Sequence, residues 1–460
     1  MEHHDLTTGN IRRQLWSLAW PIMLSIFFYT LYNIVDSFWV SKISAEAIAA
    51  VSISQIALFA MIAFSMGITV GSGVIMAMHI GAKEEEEAAR VLGQSFVLAV
   101  IAGVFFTIIS LLFRTEILTA AGANGLVFAP ALDYFTVTAV GSVLGFLMMT
   151  IVFAYNAQGD TFTPTKLFAV STLVNVILDP AMIFGWWGMP AFGIAGAAYA
   201  TLISQAIFIG IALYMLTQPQ RQIRFTFRNL TLRLDSVKKV LAIGIPASLT
   251  QVINPLGLAA LMYITAHSFM EAGTIAFSIG FRIEFFAFLP AIGFGFGAMA
   301  LIGQNIGAGK IARARETFYL ALAYGAGGSL AVGLTALIFS DSLVHLFTTD
   351  PLVTAYVHSY VLIIAGSYAF LAATMVEASA FQSIGRSWPG FWIFFLRFVV
   401  ISVPLAYVLT EFTTFSINGV WIAIAAGNII AALIGYVWIM RAFRTLKLDE
   451  VPVHVHVSGV

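Results

Sequence analysis

The octapeptide LAWPIMLS at residues 18–25 returns as IGIPASLT at residues 243–250, with Pro21 and Pro246 in register. The offset of 225 or 226 residues then holds along the chain. Gly67, Gly71 and Gly81 match Gly293, Gly297 and Gly307; Gly141 and Ser142 match Gly366 and Ser367; Gly159 matches Gly385, and Gly193 matches Gly419. A constant offset spanning half of a 460-residue chain marks an internal duplication.

What is duplicated is a set of membrane spans. Sixty per cent of the residues are apolar or aromatic and 10% are charged, against roughly a quarter charged in a soluble globular chain. Stretches of about 20 apolar residues, enough to cross a bilayer, recur almost without interruption. Breaking them at charge and Gly/Pro clusters predicts spans near 14–40, 47–79, 91–113, 130–155, 163–187, 193–217, 237–266, 272–302, 315–340, 352–381, 387–410 and 417–443. The expectation is an all-α polytopic membrane protein of 12 transmembrane helices in two six-helix, pseudo-symmetric lobes. Residues 1–217 form the first lobe, 218–235 a cytoplasmic linker, 236–444 the second lobe and 445–460 a disordered cytoplasmic tail. Of the 22 Lys and Arg residues, 18 fall on one side of these spans, Lys42 and Arg114 on the other, and Arg282 and Arg397 inside spans. The positive-inside rule then puts both termini in the cytoplasm of a cell (inner) membrane protein. Six spans per half insert both halves in the same orientation, with a cleft between them.

Several function classes drop out. Zero net charge offers nothing to nucleic acid, and the absence of cysteine removes thiolate chemistry. The loop GQNIGAGK at 303–310 resembles a phosphate loop but has Gln304 at the first glycine position, and Ile311 follows its lysine where Ser or Thr is required. No histidine pair or serine-base arrangement within the spans supports an intramembrane enzyme. The spacings Gly67-x-x-x-Gly71 and Gly293-x-x-x-Gly297 are read as close helix packing within each lobe.

Ionisable groups inside spans cost several kcal/mol by insertion scales and need a partner, water or a task. At about 1.5 Å per residue, Asp36, Asp179, Thr201 and Tyr134 all come out in the outer half of the first lobe. Tyr32 lies four residues before Asp36 and Asn175 four before Asp179, so each pair shares a helix face. Pro180 lacks an N–H and frees the carbonyl of Val176. This is an oxygen-rich set: it would hold Na⁺ at Asp36, Asn175, Asp179 and Thr201, or two carboxyls could share a proton. In the second lobe Arg282, Glu284, Glu377 and Arg397 are read as an ion-pair network holding the lobe together.

The quoted residues resemble the multidrug and toxic compound extrusion (MATE) family. The resemblance rests on LYNIVDSFWVSKISAEAIAAVSIS (31–54), NAQGDTFTPTK (156–166), VNVILDP (174–180), GIAGAAYAT (193–201) and FRIEFFAFLPAIGFG (281–295), and covers essentially the whole chain. It is nearest the DinF-like branch. The resemblance implies a V-shaped 6+6 antiporter that expels cationic or amphipathic small molecules against inward H⁺ or Na⁺, with membrane lipid around it, acting as a monomer. It also implies that Asp36, Asn175, Asp179 and Thr201 bind the coupling ion, supported by Tyr32 and Tyr134. No other cofactor is implied. Met148, Met149, Phe153 and Met262 are expected to line an adaptable apolar drug pocket. Val152 and Phe153 stand where relatives often carry an Asn, and Gln251 and Asn254 where another branch has an acid. The alternatives are a lipid-linked saccharide flippase of the same superfamily, an intramembrane enzyme and a gated channel.

Overall fold

A computed structural model describes residues 5–218, 221–447 and 451–453. Ten of its helices are long and apolar enough to cross a membrane unaided, and a pair bent by 50° at Gly141 makes an eleventh. The 74-residue helix Leu234–Gly307 exceeds any bilayer and breaks at Met270, whose φ of 52° and ψ of −141° leave helical space. Twelve spans therefore run through the described residues: α1 (Ile11–Ser41), α2 (Ala45–Gly81), α3 (Glu85–Leu112), α4 (Gly125–Val140 with Ser142–Ala157), α5 (Phe162–Phe184), α6 (Ile194–Leu216), α7 and α8 (234–269 and 271–307), α9 (Ile311–Ile338), α10 (Pro351–Ser383), α11 (Trp388–Glu411) and α12 (Asn418–Thr445).

Local chemistry sets the ends of these helices. Ser44 caps α2 by accepting from the amide of Ala47, and Asp350 caps α10 by accepting from Leu352 and Val353, with Pro351 as the first helical residue. Gly185, at φ 78°, closes α5 in a left-handed cap that a side chain would strain. The duplication survives in detail. Short helices Arg114–Ala120 and Ser340–His345 begin 226 residues apart, and Gly159 and Gly385 both adopt φ 79°. The halves differ at α11, which contains π-helical turns at Leu396–Ser402, whereas α5 is α-helical throughout.

The chain forms two compact units, and they do not part at the 218–235 linker. Unit 1 contains Leu24–Ser248; unit 2 contains Asp5–Met23 and everything described from Leu249 onward. Each cut falls two residues after one of the matched prolines. The first turns of α1 thus belong with the second half of the sequence, and those of α7 with the first. This corrects the reading of the glycine pairs. A Cβ on Gly67 would lie 2.4 Å from the Gly244 carbonyl oxygen, and one on Gly71 2.2 Å from that of Val240, so α2 seats the start of α7 inside unit 1. In unit 2 the same spacing on α8 seats the start of α1: a Cβ on Gly293 would meet Met23 Cγ at 2.4 Å. The glycines do pack helices, but each pair receives a helix from the other half of the sequence.

Unit 2 also holds the segment that precedes α1. Asn305 Nδ2 donates to the Leu6 carbonyl at 3.1 Å, Lys310 Nζ to that of Thr7 at 2.8 Å, and Arg313 to the carbonyls of Thr8 and Gly9. The last turn of α8, the short turn after it and the first turn of α9 grip the protein's own chain. Of the 445–460 tail, residues 448–450 and 454–460 lie outside the described residues; Leu446, Val451 and Val453 are buried.

Candidate cation and cargo site

One end of unit 1 is built where α1, α4, α5 and α6 contribute polar side chains to an apolar interior. Ser25 Oγ meets Thr165 Oγ1 at 2.7 Å, and the Tyr29 and Phe168 rings contact edge-on with centroids 6.4 Å apart, laying the unit 1 part of α1 along α5. At the C-terminal ends of these two helices, Trp39 meets Phe184 and Trp186 with centroids 6.3 and 5.6 Å away. Gly196 permits the α5–α6 approach, since a Cβ there would lie 2.3 Å from the Met182 carbonyl oxygen. Ser171 Oγ donates to the Ser204 carbonyl at 3.1 Å across the same pair.

Asp36, Asn175, Asp179 and Tyr134 are buried, Asn175 and Asp179 completely, and Thr201 is half-buried. Asn175 Nδ2 donates to Asp179 Oδ1 at 2.9 Å, as the i, i+4 spacing on α5 requires. Tyr32 lies against Thr201 and within electrostatic reach of Asp36, Tyr134 and Asp179; Asp36 and Asp179 are within reach of each other. The six residues singled out from depth and spacing therefore gather in one place.

Five buried oxygens there have no hydrogen-bond partner among the described residues: Tyr32 Oη, Asp36 Oδ1, Asn175 Oδ1, Asp179 Oδ2 and Ser204 Oγ. Neither carboxylate forms an ion pair with Lys, Arg or His among those residues. Two bare carboxylates in low dielectric within reach of one another are costly, and a proton or a small hard cation relieves both the repulsion and the unmet acceptors. Ser204 was not singled out from the sequence, although it follows Thr201 by one helical turn.

Beside these oxygens lies a small, partly open cavity lined by Tyr29, Tyr32, Met148, Phe168, Ser171, Thr172 and Gln205. Tyr32 belongs to both features. Of the four residues expected to line a drug pocket, Met148 is among those lining this cavity. Phe153 instead packs on α2, where a Cβ on Gly73 would meet its ring at 3.1 Å; Met149 is half-buried outside the cavity lining, and Met262 belongs to unit 2. Ser171 and Thr172, missed from sequence, sit one turn before Asn175 on α5.

The four charges of the second lobe do not form the expected network. Arg282 is exposed and reaches to within 5.9 Å of the Phe347 ring centre, its stem lying along apolar surface. Glu377 is fully buried with neither oxygen hydrogen-bonded, pressed against Gly435. Glu284 accepts a 2.5 Å hydrogen bond from the Tyr360 hydroxyl and is in electrostatic reach of Arg397. No ion pair joins any two of the four among the described residues.

Comparison with known proteins agrees with this architecture. The MatE family model matches residues 21–181 and again residues 246–408, one copy for each half of the duplication. The chain is a member of the MatE family. Its relatives include a protein named FAD transporter from Shewanella oneidensis, 26% identical over 97% of this chain and 98% of that one. They also include the probable multidrug resistance protein YoeA of Bacillus subtilis, 27% identical over 90% of each, and the probable multidrug resistance protein NorM of Thermotoga maritima, 27% identical over 90% and 89%. A solved structure of MATE in the bent conformation superposes with a TM-score of 0.91 at 25% identity, covering 98% of this chain and 99% of the other. A multidrug resistance MATE family transporter in an outward-facing conformation gives 0.90 at the same identity and coverage. MatE proteins are transporters rather than enzymes, so this chain is a multi-pass membrane transporter of small molecules.

Proposed function

We propose that this MatE transporter exports cationic or amphipathic small molecules in exchange for inward H⁺ or Na⁺, working as a monomer in the cell (inner) membrane with both termini cytoplasmic. The supporting observation is the set of five partnerless buried oxygens around Asp36 and Asp179. In this reading Asp36, Asn175, Asp179 and Thr201 bind the coupling ion, with Tyr32 and Tyr134 completing the polar wall. Tyr32 carries the message: it lines the cavity while lying within reach of both carboxylates. Ion and cargo must favour different states, because a ligand shifts an equilibrium only through differential affinity. Ion binding that draws Tyr32 toward the carboxylates reshapes the cavity wall and lowers its affinity for cargo. Each tenfold ratio of the coupling ion across the membrane supplies about 1.4 kcal/mol, or about tenfold accumulation of a singly charged cargo exchanged one for one, and the membrane potential adds to it only where net charge moves.

The cavity lining favours aromatic, uncharged or cationic cargo, since it presents three aromatic rings and contains no Lys or Arg. A lipid-linked saccharide carrying phosphates, or a dinucleotide such as the Shewanella relative's name specifies, would bring anions against it. Ethidium efflux from energised vesicles under imposed pH or Na⁺ gradients tests the proposal. Gradient-dependent efflux lost in Asp36→Asn supports it; efflux that is unchanged in the variant overturns it.

A further inference from the structure

The repeat offset shows what unit 2 carries where unit 1 has its polar cavity. The offset of 225 that joins Pro21 to Pro246 turns Tyr32 into Gly257 and Asp36 into Leu261. The offset of 226 that joins Gly159 to Gly385 turns Ser171 into Arg397, Thr172 into Phe398 and Asp179 into Leu405, and it turns Thr201 into Gly427. Both carboxylates have become leucine, and a cavity-lining serine has become arginine.

The structure fills the space that these exchanges open. A Cβ on Gly257 would lie 2.3 Å from Phe398 Cγ; one on Gly427 would lie 2.0 Å from Ser402 Oγ and 2.8 Å from the Arg397 carbonyl oxygen. Phe398, Ser402 and Arg397 all belong to the π-helical turns of α11, which α5 in unit 1 lacks. Within this filled region Arg397 is 1% exposed. It stands in electrostatic reach of Glu284 and Tyr360, and Tyr360 donates to Glu284. Gly280, one turn before Glu284 on α8, allows that approach, since a Cβ there would meet the Tyr360 ring at 2.8 Å.

We propose that Arg397 is a tethered cation, doing permanently for Glu284 in unit 2 what a mobile cation does in unit 1, so that Glu284 takes no coupling ion of its own. The proposal rests on the reading of Asp36 and Asp179 above. A nearby cation relieves a buried carboxylate; Glu284 has Arg397 held within electrostatic reach by the chain itself, without a direct ion pair, whereas Asp36 and Asp179 pair with no Lys, Arg or His among the described residues and take a cation or proton from solution. Tyr360, Tyr368 and Arg397 are the titratable groups that face Glu284. Removing the arginine should therefore turn Glu284 into a second ion site.

The test uses purified full-length protein, with radioactive sodium binding and pH-difference infrared spectroscopy of carboxyl groups as readouts. Wild type should bind one Na⁺ or proton per chain, lost in Asp36→Asn. Arg397→Met should raise the count to two; the added site should survive Asp36→Asn and vanish on adding Glu284→Gln. Arg397→Lys should bind one. A folded Arg397→Met that binds no additional ion overturns the proposal, as does an added site that persists in Glu284→Gln and so belongs to Glu377. Where Arg397→Met fails to fold, Arg397→Met with Glu284→Gln should recover thermal stability, and equal instability of the two overturns the proposal. A wild type without Asp36-dependent binding, beside an Arg397→Met protein that gains the Glu284 site, sinks the unit 1 reading and leaves the Arg397–Glu284 relation standing.

Discussion

Gly67→Ala should loosen the seat that α2 provides for the start of α7. The new methyl would lie 1.8 Å from Ser248 Oγ and 2.4 Å from the Gly244 carbonyl oxygen. Ser248 can rotate away, but the carbonyl belongs to the helix backbone and cannot. Reaching even a tight contact requires the two helices to part by about 1 Å, in an interior that packs like a crystal. Overpacking of this kind costs about 1–3 kcal/mol, which for a unit of some two hundred residues lowers the melting temperature by roughly 2–12 °C. Gly145→Ala is the control. Nothing lies within 4 Å of its added methyl, so only helix propensity acts, favouring alanine by up to about 1 kcal/mol. Thermal unfolding of the two variants in one detergent, followed by fluorescence-detected gel filtration, separates them. If Gly67→Ala melts with or above Gly145→Ala, the close seating of α7 on α2 is wrong.

Asp179→Asn, like Asp36→Asn, should abolish gradient-driven efflux while leaving the protein monodisperse, reducing roughly tenfold accumulation under a tenfold ion gradient to equilibration; measuring accumulated ethidium in vesicles under an imposed pH or Na⁺ gradient decides it. Tyr32→Phe removes one hydroxyl from the oxygen set and should weaken ion binding about tenfold, in line with a hydrogen bond of about 1–1.5 kcal/mol, as read from the gradient that gives half-maximal efflux. In the segment joining the two halves of the sequence, Arg221 pairs with Asp160 at 2.6 Å and lies over the Tyr155 ring at 5.0 Å. Because both partners are partly solvated, Arg221→Ala should cost no more than about 1 kcal/mol of stability. It should still speed proteolysis within residues 221–233, and unchanged cleavage would argue against that anchor.

Hydropathy and the repeat were enough to place the spans, because a bilayer demands about 20 apolar residues per crossing and a duplicated chain states its pattern twice. Local helical spacing was also enough to join Tyr32 to Asp36 and Asn175 to Asp179, since i, i+4 neighbours share a face whatever surrounds them. Burial was another matter. Arg282 and Arg397 look alike in sequence, yet one is exposed and reaches toward the Phe347 ring and the other is enclosed beside Glu284, a difference set by which helix face meets a neighbour. The partner of each glycine pair, the exclusion of Phe153 and Met262 from the cavity, and the filling of unit 2 by the π-helical turns of α11 likewise depend on residues far apart in the chain. Periodicity records that a face is apolar; only tertiary packing decides what that face touches.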